Sequence, residues 1–565
     1  AMDNKDAEAE IHPLKTEDVK AQENHENFVE RRIIIKQSSQ LSRLSRWRTA
    51  AFFISLFLCL IIVFAFSFII PCPERPISER TWFQYYENAV AYQFLAIEDV
   101  DKDKVQDVIF AFRASNGSSN FNHTCLDEGL PSPCAFLAAV SGKNGTVLWE
   151  KPAAKEVEWM QCGIEQLGEA SEPGCLVVGK PASLTALNQT GDVQWRHSND
   201  FGANYTVLTP LSVIPDVDSD GVQDLIIFVA TGDKIKTFIH SGRNGNEIGS
   251  TESHSMGGKA HYISLNVGSS SYFLFYTGNS VYAYSLKELY SAATGMENSL
   301  PSLEQDPLWE RNIDPTTHRF YLPRHGVTSC SGDIHYLAKI PGASRDNVLV
   351  VNSEMATLIN PQNLQTLWTL NVSRVMSEPR LGYYKPDVLG VVLESEIGPN
   401  RKKVMIVEGG SGAVQWDLKL NSRAESPGLA TLSTADHRST FLIWGEYNVA
   451  GNETVESCWL QGSTAPQQKL YLFHPSYTNV LLELRNNTDQ IIAFSAALFE
   501  RSRHACYVLL TGPQPGEEPG LVSLMKRKLK EDVSESKVIW LSQVAVDSEQ
   551  YIRDRLYRMR FHSRV

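Results

Sequence analysis

The sequence predicts an all-β fold, a multi-bladed β-propeller with eight blades favoured and seven allowed, preceded by one transmembrane helix and a disordered N-terminal tail. Three observations predict it. A phrase of alternating apolar residues, a Gly/Asn turn and a closing Trp recurs along the chain. Each phrase follows a second apolar pair, giving four strands per unit at a spacing of about 45–65 residues, the pattern of propeller blades. A charge-free stretch of 21 residues, Ala50 to Ile70, precedes all of them.

That stretch matches the roughly 20 residues needed to cross a bilayer. Only Ser55, Cys59 and Ser67 interrupt it, so it lacks the polar face of a buried core helix. It starts too far along the chain, runs too long and lacks the A-x-A-like ending of a cleaved signal peptide. We read residues 49–70 as a signal anchor. Arg31, Arg32, Lys36, Arg43, Arg46 and Arg48 precede it with no acid among residues 31–48, which keeps the N-terminus cytoplasmic and gives a type II topology. Residues 1–48 read as a disordered cytoplasmic tail. Residues 71–90 read as a stalk, with 80–90 available as a ring-closing strand, and 546–565 as a basic tail. That tail could form a short amphipathic helix against the propeller or lie near headgroups, but a solvated segment is favoured.

Between them, residues 91–545 hold the propeller. The clearest phrases end at Trp149, Trp195, Gly249, Trp368 and Trp416, with weaker ones near Trp309, in residues 467–484 and at Trp540. Each is a β-hairpin with a Gly/Asn turn, in which Asn-Gly, Thr-Gly or Ser-Gly, where present, supplies the positive φ that a tight turn requires. The Trp is expected to close its unit by packing on the next. The blades fall at about 92–150, 157–197, 207–250, 260–312, 333–370, 377–420, 428–485 and 491–542. Two β-sandwiches are the alternative, but they would not repeat a glycine-turn-Trp phrase.

Net charge is −13, from 52 Lys+Arg and 65 Asp+Glu. The N-terminal 48 residues are neutral overall, so the negative charge follows the span. This argues against a nucleic-acid partner. Eight N-x-[ST] sequons, at Asn116, Asn122, Asn144, Asn188, Asn204, Asn371, Asn452 and Asn486, all follow the span, as glycosylation of an exported domain requires. Outside the span the cysteines form an even set. Cys125 with Cys134 and Cys162 with Cys175 are the expected disulfides. Cys72, Cys330, Cys458 and Cys506 allow three pairings, with Cys72 alternatively linking two chains or remaining free.

Two segments stand apart chemically. Asp99, Asp101, Asp103 and Asp107 share D-x-D-x-D-x-x-x-D spacing with Asp216, Asp218, Asp220 and Asp224, and both segments run from one apolar strand into another. Carboxylates at alternate turn positions converge, and Ca²⁺ takes six to eight oxygens at about 2.3–2.6 Å. The Val105 and Val222 carbonyls would complete the two shells. An all-oxygen set without His or Cys disfavours zinc, and full dehydration disfavours Mg²⁺. An EF-hand is excluded because the segments lead into strands and lack the twelfth-position Glu. In the first segment Lys104 stands where the second has Gly221, and Lys102 adds competing charge. The ions would be structural.

D-x-D-x-D-G-x-x-D between strands resembles the FG-GAP repeat of integrin α-subunit propellers, specifically at residues 216–225 and more loosely at 99–108. The Gly-turn-Trp hairpins resemble the blades of quinoprotein-type propellers. Over essentially the full length, the opening DNKDAEAEIHPLK, the segment RLSRWRTAAFFISLFLCL with IIPCPERP, and the C-terminal SRHACYVLLTGP and IRDRLYRMR resemble the family with sequence similarity 234. That resemblance implies a single-pass type II membrane glycoprotein with an extracellular propeller, and it supplies no biochemical activity. The FG-GAP metal pattern occurs in two of the eight units.

The expected function is therefore non-enzymatic: a cell-surface propeller that binds a protein partner as a co-receptor or accessory subunit of another membrane protein. The alternative is an enzyme or small-ligand-binding protein using the central channel. The sequence contains no G-x-S-x-G, H-E-x-x-H or P-loop pattern. His437 and His504 read as turn or strand-start residues rather than catalysts.

Overall fold

Strand after strand in this chain is a short apolar run bounded by a glycine-bearing turn, and each set of strands forms one antiparallel sheet. The computed structural model describes residues 30–69, 81–117, 123–256, 258–296, 303–321, 332–343, 345–448, 466–500, 504–542 and 547–563. The chain divides into two units, Ala1–Arg75 and Pro76–Val565.

The first unit contains one helix, Glu30–Ile69, within which Trp47–Phe66 is long and apolar enough to cross a membrane. The helix starts well before the apolar stretch, so residues 30–48, expected as irregular tail, are helical. Their Arg, Lys, Gln and Leu content favours helix, and a turn already nucleated in the span propagates at little cost.

The second unit is an eight-bladed propeller. Its closure depends on one long strand, Thr81–Glu98. Residues 81–89 pair with Gly520–Lys528 of the last blade, and residues 90–98 pair with Asp107–Ala114 of the first. The first blade continues through Cys134–Val140 and Val147–Ala154. The second spans Glu156–Ile164 to Val193–Ser198, the third Ser212–Ile214 to Glu252–Ser255. The fifth runs from Ile334–Ile340 to Gln365–Asn371, the sixth from Arg380–Lys385 to Val414–Asn421. The seventh runs from Ala430–Ser433 to Val480–Asn487, and Ile491–Glu500 opens the eighth.

Tryptophans join the blades. The Trp82, Trp149, Trp195, Trp309, Trp368 and Trp416 indoles donate to the carbonyls of Gly142, Gln189, Gly242, Pro361, Gly409 and Thr478 respectively, each in the following blade, at 2.7–3.2 Å. Four of these rings also lie over a turn glycine of positive φ: Gly145, Gly191, Gly245 and Gly412. A side chain there would occupy the space of the ring.

Among the described residues two junctions lack this clasp, for one reason. The fourth blade has three strands among those residues, and after Ser280–Ser285 a helix, Leu286–Thr294, stands where the receiving turn would be. Gly249 packs under its last turn instead, and the Ser250 N–H donates to the Ala293 carbonyl (2.7 Å). In the eighth blade the last strand comes from residues 81–89, so no turn links it to Gly520–Lys528. A helix, Leu529–Glu535, follows there.

Two expectations need correction. The strand ending in Trp540, Lys537–Trp540, pairs with Val480–Glu483 at the edge of the seventh blade and not within the eighth. The basic tail is not merely solvated: Glu549–Tyr557 is a helix whose Ile552 and Leu556 are buried, and Phe561 beyond it bridges to Thr434. The i, i+4 apolar pair supplies the face that docks.

Candidate metal centre

Both acidic segments join the first two long strands of a blade. The first follows Glu98 and enters Asp107–Ala114, in blade one; the second follows Ser212–Ile214 and enters Asp224–Thr231, in blade three. Each turns through two left-handed positions, Lys102 and Lys104 in the first, Ser219 and Gly221 in the second. Lys104 thus adopts at φ 71° the conformation that Gly221 adopts freely at 91°.

In the second loop, one oxygen from each of Asp216, Asp218, Asp220 and Asp224 lies within 4.8 Å of the others. In the first, Asp99, Asp101 and Asp107 converge in the same way. Asp103 lies outside that group, with its Oδ1 accepting from the Val105 N–H (2.8 Å). Asp220 makes the equivalent bond to Val222 (2.9 Å) but is also gripped by Ser241 Oγ at 2.8 Å, a contact without a counterpart at Asp103 among the described residues.

The last aspartate anchors each loop. Asp107 Oδ2 accepts from the Val100 N–H (2.8 Å) and Oδ1 from Gly142 (2.9 Å). Asp224 Oδ2 accepts from Val217 (2.7 Å) and Oδ1 from Gly242 (3.3 Å). Both are fully buried. Gly142 and Gly242 sit in two matching turns, Ser-Gly-Lys-Asn-Gly and Ser-Gly-Arg-Asn-Gly, already legible in the sequence as hairpins. Their role as amide donors to the acidic loops was not read there. The shared Ser-Gly-x-Asn-Gly turn after each loop was the available signal.

The donor chemistry fits a hard cation. Burial pushes the Asp107 carboxyl up to about 7 and the Asp224 carboxyl up to about 6. Asp103 and Asp218 are also raised, by burial first and then by neighbouring aspartates. A nearby positive charge would favour the ionised form of each, most of all Asp107. Asp99 Oδ1 is buried with no hydrogen-bond donor. The two basic side chains in the first loop do not fill that role, since Lys102 reaches out to Glu172 (2.7 Å) and Lys104 is exposed.

The loops also tie blades together. The Asp99 carbonyl accepts from Gln189 Nε2 of blade two (2.6 Å), the residue whose own carbonyl holds Trp149. The Val217 carbonyl accepts from the Tyr290 hydroxyl of blade four (3.3 Å). Arg243 donates to the Asp220 carbonyl and pairs with Glu169 of blade two.

The other sequence-selected residues lie apart from these loops. Disulfides join Cys125 to Cys134 and Cys162 to Cys175. Cys506 is buried in His504–Thr511, and Cys72, Cys330 and Cys458 lie outside the described residues. Of the sequon asparagines, Asn116, Asn144, Asn204, Asn371 and Asn486 are exposed and Asn188 is half-buried, while Asn122 and Asn452 lie outside the described residues. His437 occupies a turn at φ 65°, 3.1 Å from Asp387.

Residues 82–562 match the FAM234A/B beta-propeller family model. The chain is 42% identical to Protein FAM234A of Homo sapiens, with 100% of each covered. It is 28% identical to Protein FAM234B of Homo sapiens, covering 90% of this chain and 82% of that one. Among solved structures, the WD40 domain of SCAP from fission yeast aligns at 10% identity and a TM-score of 0.42, covering 79% of this chain and 98% of that one; likeness at that level carries no argument. The matching family model and the full-length identity to FAM234A place this chain in the FAM234 family of β-propeller proteins.

Proposed function

We propose that the chain is a non-enzymatic, single-pass type II membrane glycoprotein whose Ca²⁺-stiffened propeller binds a protein partner, as co-receptor or accessory subunit of another membrane protein at the cell surface. The observation that carries this reading is the second acidic loop. Its four carboxylates converge and its backbone is tied to blade four by Tyr290 and to blade two through Arg243, so an ion there would set how neighbouring blades present their loops. Asp216, Asp218, Asp220 and Asp224 would hold one ion, and Asp99, Asp101 and Asp107 a second. The apolar helix and the exposed sequon asparagines support the anchored, glycosylated form. A rigid scaffold that displays loops is suited to recognition.

The test is a mild-detergent pull-down of the full-length protein from its native membrane, with and without a calcium chelator, read by mass spectrometry. One stoichiometric membrane partner that requires calcium supports the reading. Recovery of no protein partner under either condition overturns it and directs attention to a ligand in the central channel.

A further inference from the structure

The ring-closing strand exposes an unusual edge. Residues 81–89 pair on one side with Gly520–Lys528, and among the described residues no strand covers the other side. Trp82 and Tyr86 are buried, whereas Phe83 and Tyr85 on the opposite face are 41% and 58% exposed. Their rings are parallel within 3°, with centroids 6.3 Å apart. From Thr81 to Tyr86 the strand bears no charge, proline or glycine. Open edges are normally protected by such residues, because an uncharged aromatic edge invites another strand.

A cavity of about 480 Å³ lies along this face, between blades seven and eight. Phe83, Tyr85, Leu521 and Met525 line one side and Arg485 and Asp489 the other. Arg485 meets no carboxylate among the described residues. Its Nη1 rests 3.3 Å from the Met525 sulfur, a weak acceptor, and its Nε is buried with no acceptor. The neighbouring blade shows that this propeller accepts an added strand, since Lys537–Trp540 pairs at the edge of Val480–Asn487.

We propose that the edge of residues 81–86, which ends at the bulge before Ala89, receives an extended segment of a partner protein as an additional β-strand of blade eight. Backbone hydrogen bonds supply affinity, apolar side chains of the segment cover Phe83, Tyr85 and Leu521, and one acidic side chain pairs with Arg485. This rests on the reading of the protein as an accessory subunit. Only residues 70–80 separate the strand from the apolar helix in sequence, which suits a partner anchored in the same membrane.

The test places the photo-crosslinking residue benzoylphenylalanine at position 83 or 85 of the full-length protein in its own membrane, with position 388, an exposed site on blade six, as control. The expected result is an adduct with one extended segment of another membrane protein. Its yield should fall at least about tenfold with Leu521→Asp, whose side chain is 55% exposed, and with Arg485→Gln, which keeps a polar side chain at the half-buried Arg485 position, each at an unchanged melting temperature. Adducts confined to lipid, to glycan or to a second copy of this chain overturn the proposal, as does a yield no higher than at position 388. If the partner in the calcium-dependent pull-down survives Arg485→Gln and Leu521→Asp undiminished, the edge proposal fails while the accessory reading stands. If the wild-type protein yields no partner, that reading fails first.

Discussion

Asp224 concentrates the chemistry of the acidic loop in one residue, because it holds two backbone amides and faces three other carboxylates without exposure to water. At free Ca²⁺ a hundredfold above its dissociation constant, a bound ion would stabilise the fold by about 2.7 kcal/mol. Chelation should lower the melting temperature by several degrees, and Asp224→Asn should remove most of the calcium-dependent part. An equal calcium response in wild type and variant, by differential scanning fluorimetry, would remove the second site from the account. Acid acts at other residues too. His474 is 4% exposed, accepts the Ser476 N–H at Nδ1 (3.2 Å), and burial holds its pKa at about 4 rather than 6.5. His240 is equally buried and held at about 4. At each histidine the folded state therefore binds fewer protons than the unfolded state between those values. Each histidine's contribution is complete above pH 6.5 and declines as pH falls towards 4, by roughly 3 kcal/mol at most. The raised Glu98, Asp107 and Asp224 carboxyls act with the opposite sign when no cation is bound, because below about 7, 7 and 6 their folded forms hold protons that the unfolded chain releases. The histidine contribution is therefore read as a difference: in melting curves from pH 7.5 to 4.5 with chelator, His474→Gln should lose less stability on acidification than wild type, and equal pH slopes would remove His474 from the account.

At the scale of the element, glycine turns and tryptophans act as pairs, and two glycines separate the causes. Gly245 has φ +75°, and a Cβ there would collide with the Trp195 ring; Gly221 has φ +91° with open space around it. Gly245→Ala should cost about 3 kcal/mol, from strain and overpacking together, and Gly221→Ala about 1 kcal/mol, from strain alone. Urea midpoints would show the ranking, and equal costs would mean that the indole yields easily. These clasps were legible because alternation, a Gly- or Asn-bearing turn and Trp all lie within one hairpin, as at Trp149, Trp195, Trp368 and Trp416. The helix Leu286–Thr294 interrupts the weak hairpin phrase near Trp309, and VYAYS leads directly into it. Its capping signal was present, since Ser285 Oγ accepts the Glu288 N–H (3.1 Å) in an S-x-x-E pattern. The acidic loops were legible from spacing alone. The displacement of Asp103 was not, because it depends on a contact that Ser241 makes to Asp220 across the blade.

Closure of the whole ring is a pairing between the propeller's first strand and its last blade, expected from residues 80–90 in sequence, although the Trp pattern alone points elsewhere. In linear order the units end in tryptophan, so Trp540 looks like the closing residue of the last. In space the last blade borrows its final strand from residues 81–89, and the clasp onto Gly142 belongs to Trp82, 5% exposed. Trp540 is half-buried at the edge of blade seven. Gly142 is also where the ring's ends meet chemically: its carbonyl accepts from Trp82 and from the buried Lys526 (2.8 Å), and its amide holds Asp107 of the first acidic loop. Loss of the Trp82 indole would leave a cavity beside the strand whose pairing with Gly520–Lys528 closes the ring by backbone hydrogen bonds alone. Trp82→Ala should therefore cost about 3–5 kcal/mol, and Trp540→Ala about 1 kcal/mol. Chemical unfolding of the two full-length variants measures the difference. A larger loss from Trp540→Ala would mean that blade seven, not the paired termini, governs closure. The expected order would make Trp82 the residue through which both ring closure and the first acidic loop lose their support, so Trp82→Ala should also weaken the calcium response of the Asp99–Asp107 loop while leaving that of Asp216–Asp224 intact.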